Sequence, residues 1–204
     1  MGLFNIFKRL SKEKKPSIEQ LYNEGNYEEL IKLKSDDAIE LQMIGKAYHE
    51  LGRVDDAIGV TRRAFLFASE SQKDDIRINL AKYCYINGRY ESAIEYSQEV
   101  RSFKQGYLRQ DLDFTLDLII GSSYYHLNKY KIAISAYKKA PLTSKKSSKS
   151  LLDIRYHAAL AYKADGNIKM AKKMLDIVLS NDINHIESKE LYKLLNANES
   201  DRDS

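Results

Sequence analysis

The four histidines, His49, His126, His157 and His185, and the single cysteine, Cys84, are the side chains here best suited to metal binding or nucleophilic chemistry. A zinc site on a helix needs two ligands four residues apart, or a cysteine cluster beside them, and the sequence offers neither. One cysteine excludes an internal disulfide. Gly121-Ser122-Ser123 lacks the second glycine and the preceding strand of a nucleophile elbow. No two glycines stand close enough to cradle a phosphate. The acidic pairs Asp55-Asp56 and Asp74-Asp75 fall at expected helix starts, where carboxylates face the positive end of the helix dipole. The sequence therefore predicts no catalytic residue, metal ligand or cofactor. What remains is binding chemistry, carried by lysines, imidazoles and tyrosines.

The elements that position them repeat. A phrase recurs five times: Gly or Asn, one residue, an apolar residue, two residues, then a small or apolar one. The copies are Gly25 to Leu30, Gly52 to Ala57, Gly88 to Ala93, Asn128 to Ala133 and Gly166 to Ala171. Gly and Asn tolerate the left-handed backbone that ends a helix. Seven residues before the last four turns stand Gly45, Ala81, Gly121 and Ala159, two helical turns away and on one face. Four residues before them stand Tyr48, Cys84, Tyr124 and Tyr162. Each unit reads as two antiparallel helices in close contact, with an aromatic or Cys84 wedged at the flank.

These positions resemble the tetratricopeptide repeat (TPR) motif. The matches are Ile44-Gly45-x2-Tyr48 with Ala57 and Ala64, Leu80-Ala81-x2-Cys84 with Ala93, Ile120-Gly121-x2-Tyr124 with Ala133, Tyr137 and Ala140, and Ala158-Ala159-x2-Tyr162 with Ala171 and Leu175. The motif's Trp and closing Pro are absent. The resemblance implies an all-α, right-handed solenoid of antiparallel helix pairs with a C-terminal capping helix. Its divisions are expected at 1–15 (basic amphipathic arm), 16–37 (degenerate helix pair), 38–181 (four repeats, about 38–73, 74–110, 111–150 and 151–181), 182–197 (cap) and 198–204 (disordered tail). Ile186, Leu191, Leu194 and Leu195 are the expected inward residues of the cap.

Charge is uneven. The first 15 residues carry five basic side chains against Glu13, and the chain's net charge is +4, so the other 189 balance to zero. In the arm, Leu3, Phe4, Ile6, Phe7 and Leu10 share one side of a helical wheel, opposite Lys8, Arg9 and Lys12. That pattern suits a membrane surface, with Leu3, Phe4, Phe7, Lys8, Arg9 and Lys12 as the contacts; docking on the body or a second copy, and disorder, stay open beside it. No apolar run approaches a membrane span, and charge follows rather than precedes the N-terminal apolar stretch, against the order of a secretory signal. A cytoplasmic location is expected. A lysine cluster, Lys138, Lys139, Lys145, Lys146 and Lys149, surrounds the segment Pro141 to Ser150. Nucleic acid could meet it and the arm, yet no nucleic-acid-reading motif appears.

In TPR-like stacks the first helix of each unit lines a concave groove. The resemblance places there Gln42, Lys46 and His49, then Asn79, Lys82 and Tyr85, then Ser122, Tyr125 and His126, and finally His157, Leu160 and Lys163. The set is polar, aromatic and mildly basic, without an acidic member. It suits a protein or peptide segment with acidic character. Chaperone-type TPRs clamp a terminal carboxylate with a Lys/Asn/Asn/Lys/Arg set; the matching places here hold Gln42, Lys46, Asn79, Thr115 and Ile119, and Asn79 alone agrees. The sequence thus predicts a non-enzymatic adaptor or scaffold, with self-association through an exposed terminal face as another mode of assembly.

Overall fold

The structure is a computed structural model that describes residues 16–103, 110–144 and 148–200. Among these residues every element is helical: α1 (Ile18–Asn23), α2 (Tyr27–Leu30), α3 (Ala38–Glu50), α4 (Val54–Phe67), α5 (Glu70–Ile86), α6 (Tyr90–Phe103), α7 (Gln110–His126), α8 (Tyr130–Tyr137), α9 (Lys149–Ala164), α10 (Ile168–Asn181) and α11 (Ile186–Ser200). They follow one another as helix pairs closed by short turns, the all-α hairpin architecture that the repeats predict.

The turns are built alike. Gly25, Gly52 and Gly88 have φ of 73°, Gly166 82° and Asn128 58°. This left-handed residue lets the next amide reach back to the helix it leaves. Arg53 N donates to Tyr48 O at 2.8 Å, Arg89 N to Cys84 O at 2.8 Å, Lys129 N to Tyr124 O at 2.9 Å and Asn167 N to Tyr162 O at 2.8 Å. The residue at the wedge position therefore also supplies the carbonyl that closes its helix. Caps fix several starts: Asp37 accepts from the amides of Ile39 and Glu40, Ser17 from Gln20, Ser148 from Leu151 and Asn167 from Met170.

The small residues are required by what faces them. A β-carbon on Gly121 would lie 2.3 Å from Cε1 of Tyr137, a side chain with no exposed surface. One on Gly45 would lie 2.6 Å from Oγ1 of Thr61, also buried. Thr61 and Tyr137 each stand four residues after the alanine of the repeated phrase, so facing partners recur with the repeat.

Contacts divide the chain into two units, one ending at Ile76 and the other spanning Arg77–Ser204. In the first, Ile18, Leu21 and Leu30 of the short helices pack with Ile44 and Ala47 of α3. In the second, Ile78, Val100 and Leu116 join α5, α6 and α7, and Arg101 donates to the buried Asp117 at 2.5 Å across α6 and α7. A larger cluster runs from Phe114 through Tyr137, Ile154, Tyr162 and Leu175 to Leu191 and Leu195.

Three expectations need correction. The helix α5 begins at Glu70, not at 74, so Asp74 and Asp75 lie inside it and Glu70 takes the first turn. In α11, Leu191 and Leu195 are buried while Ile186 and Leu194 are 64% and 46% exposed. At about 100° per residue, Ser188, Leu191 and Leu195 share a stripe that excludes the other two. The helix also runs to Ser200, into the segment expected to be disordered. After α8 the described residues 141–144 form turns rather than helix, as expected, with Leu142 buried. Residues 1–15, the link 104–109, Lys145 and Lys146, and the tail 201–204 lie outside the described residues. No helix among those described is long and apolar enough to cross a membrane.

Candidate functional site: ring brackets at the hairpin turns

Three of the five turns carry a tyrosine three residues before the left-handed residue and another two residues after it. The pairs are Tyr22 with Tyr27, Tyr85 with Tyr90, and Tyr125 with Tyr130. Their centroids are 6.1, 6.1 and 5.6 Å apart, at interplanar angles of 52°, 56° and 53°. The reversal of the chain explains the repetition: the last turn of one helix and the first residue of the next present their rings side by side. Tilted pairs at this spacing hold each other by the attraction of ring edge to ring face. In the first unit, Nζ of Lys46 sits 5.9 Å from the centre of the Tyr22 ring.

In the second unit His126 joins two brackets. Its ring stacks on Tyr90 at 4.7 Å and 4°, and stands 6.0 Å from Tyr85 and 5.6 Å from Tyr125. Tyr85, Tyr90, His126, Tyr125 and Tyr130 are thus one continuous run of rings over α5 to α8. A second group follows: Tyr156 lies 5.5 Å from His157 and 5.3 Å from His185. All but the exposed His126 are half-buried, so their positions are held while part of each ring meets solvent.

The protonation of this surface follows from burial. Desolvation pushes the Tyr85 phenol up, against the hydrogen bond from Ser122. It also pushes Tyr156 up, with the carboxylate of Glu187 adding to the effect. Both phenols are therefore neutral hydrogen-bonding groups at pH 7. Burial lowers the pKa of His157; Asp153 opposes that shift and His126 adds to it. At neutral pH His157 is an uncharged imidazole.

The structure distributes the expected groove residues as follows. Gln42, Lys46 and His49 belong to the first unit, with Lys46 exposed and the other two half-buried. The other nine belong to the second. Lys82 and His126 are exposed; Asn79, Tyr85, Tyr125, His157, Leu160 and Lys163 are half-buried. Lys82 is three residues from Tyr85 on α5, which puts both on one face. Ser122 is a correction: it is buried, and its hydroxyl shares a 2.9 Å hydrogen bond with the Tyr137 phenol, so it holds α7 to α8. Leu160 packs partly against the core.

The motif reading missed Tyr90, Tyr130, Tyr156 and His185. The signal was present: Tyr-x-x-Gly/Asn-x-Tyr recurs at 22–27, 85–90 and 125–130. The second tyrosine occupies the phrase's apolar position, where Val54 and Ile168 stand in the other two copies, so it passed as packing. Among the described residues no group of three or more His, Cys, Asp and Glu could hold a metal ion. The arm contacts Leu3, Phe4, Phe7, Lys8, Arg9 and Lys12 lie outside the described residues.

No protein-family model and no curated protein matches the sequence. Solved structures do. The C-terminal part of a TPR repeat-containing protein from Cytophaga hutchinsonii is similar with a TM-score of 0.71 and 18% identity, over 91% of this chain and 71% of that one. MamA from Desulfovibrio magneticus RS-1 is similar with a TM-score of 0.65 and 15% identity, over 83% and 89% of the two chains. A chain of the APC/C hetero-tetramer Cut9–Hcn1 is similar with a TM-score of 0.68 and 16% identity, over 87% of this chain and 34% of that one. At these identities the likeness is one of fold, and the fold is TPR-like.

Proposed function

We propose that the protein is a non-enzymatic adaptor whose ring-lined surface in the second unit binds a segment of another protein. The observation that carries this reading is the unbroken run Tyr85, Tyr90, His126, Tyr125 and Tyr130. Half-buried tyrosines offer large contact area and few rotatable bonds, so little side-chain freedom is lost on binding. Their phenol hydroxyls can both donate and accept hydrogen bonds, which suits a polypeptide backbone. Lys82, on the same face of α5 as Tyr85, adds positive charge, which favours a segment with acidic residues. TPR-like relatives in fold include a chain of a hetero-tetramer, Cut9–Hcn1, an assembly that this reading parallels.

The test is affinity capture from the native host with quantitative mass spectrometry, comparing the wild type with Lys82→Glu/His126→Glu. Both side chains are exposed, so the substitutions leave the core intact. The wild type should enrich a discrete partner that the variant loses at least about tenfold, the effect of about 1.4 kcal/mol. Equal recovery by both proteins refutes the assignment of this surface.

A further inference from the structure

Residues 129–176 hold twelve Lys and Arg against three Asp, a balance of +9 in a chain whose total is +4. This positive charge belongs to α8, α9, α10 and their connections, and the same segment supplies an apolar cleft. The cleft measures about 300 Å³ and is lined by the buried Leu142, Tyr162 and Met174, with Pro141, Met170 and Lys138. Lys169 and Lys173, exposed, each stand one residue before a lining methionine. Among the described residues none of Lys138, Lys169 and Lys173 has an ion-pair partner.

The cleft is built in advance. The fully buried Arg155 of α9 donates from Nε to the carbonyl of Leu142 at 2.8 Å and from a terminal nitrogen to the carbonyl of Ser144 at 2.6 Å. A charged side chain is held in the interior only when its donors are satisfied. The guanidinium therefore ties the chain after α8 against α9 and fixes the wall that Pro141 and Leu142 supply.

We propose that this cleft, separate from the ring-lined surface, docks an acidic segment of a partner protein that inserts one apolar side chain between Met170 and Met174. Thioether side chains are flexible and polarisable and adapt to different apolar anchors. Lys138 at the cleft, with the exposed Lys169 and Lys173 next in sequence to its methionines, complements carboxylates that flank the anchor. A bilayer is a poorer fit, because it needs apolar groups that protrude and these are recessed. A nucleic acid is a poorer fit as well, since its phosphates use cations but leave an apolar hole unfilled.

The full-length protein with 13C-labelled methionine methyls tests this. Met1, Met43, Met170 and Met174 are the four methionines, and Met43 lies in the first unit as an internal control. The probe is the synthetic peptide Asp-Glu-Asp-Leu-Asp-Glu-Asp, titrated from micromolar to millimolar at low salt beside its Leu-to-Ser counterpart. The Leu peptide should move the Met170 and Met174 signals and leave Met43 still. The Ser peptide should bind at least about tenfold more weakly, as loss of one buried leucine implies. Lys138→Glu/Lys173→Glu should weaken the Leu peptide by at least about tenfold and flatten its salt dependence, while Lys82→Glu should leave the Met170 and Met174 response unchanged. No movement up to millimolar peptide, indistinguishable Leu and Ser peptides, or unaltered binding by the charge-reversed variant overturns the proposal. So does movement of Met170 and Met174 by phosphatidylserine vesicles or a DNA duplex but not by the peptide.

Discussion

His157 illustrates how a single residue expected in the groove is tuned by its setting. Burial lowers its pKa in the folded chain below the ordinary 6.5, so the unfolded chain binds the proton more readily. The sign follows: this group lets stability fall as the pH drops through 6.5, until the lower folded value is reached, and has no effect above that window. His157→Gln keeps a polar side chain without the titration. Urea unfolding of both proteins between pH 7.5 and 5.5 should give a shallower acid-side loss for the variant. Parallel curves would mean that His157 is solvated, and the physical account of this part of the surface would fail.

At the scale of elements, the hairpin rests on small residues where two helices meet, and its glycines are not interchangeable. Gly121→Ala drives a methyl into the buried Tyr137 ring and should cost about 1–3 kcal/mol by overpacking. Gly59, in the middle of α4, has nothing within 4 Å of the place its β-carbon would take, so Gly59→Ala should add roughly 0.5–1 kcal/mol through helix propensity. Thermal and urea denaturation of the two variants check the opposite signs. A stable Gly121→Ala protein would contradict the close helix approach.

Much of this level was legible in the sequence. Left-handed residues, facing small residues and wedge aromatics are local requirements of one repeated hairpin, so spacing exposes them. The start of α5 was not, because Glu70 and Asp74 offer the same charge to a helix dipole and nothing in type separates them. Nor was the burial of Ser122, which depends on Tyr137 from the following helix. The ring run was half legible: Tyr85, Tyr125 and His126 follow from the motif's inner positions. Tyr90 and Tyr130 become surface residues only once the turn geometry brings each beside its partner.

On the scale of the whole molecule, the continuous ring run and the excess positive charge are separated along the chain. The rings of the second unit concentrate between Tyr85 and Tyr130, and the excess positive charge between Lys129 and Lys173. A repeat architecture permits this, since each hairpin contacts mainly its neighbours and can change its outer residues independently. The most direct test of the central claim, that the ring-lined surface grips another polypeptide, is site-specific photo-crosslinking in the native host. A photoreactive residue placed at Lys82, beside the rings, is compared with one at the exposed Glu95 of α6. A discrete crosslinked protein should form from position 82, be absent from position 95 and disappear when His126→Glu is added. The same product from both positions, or none from position 82, would contradict the claim.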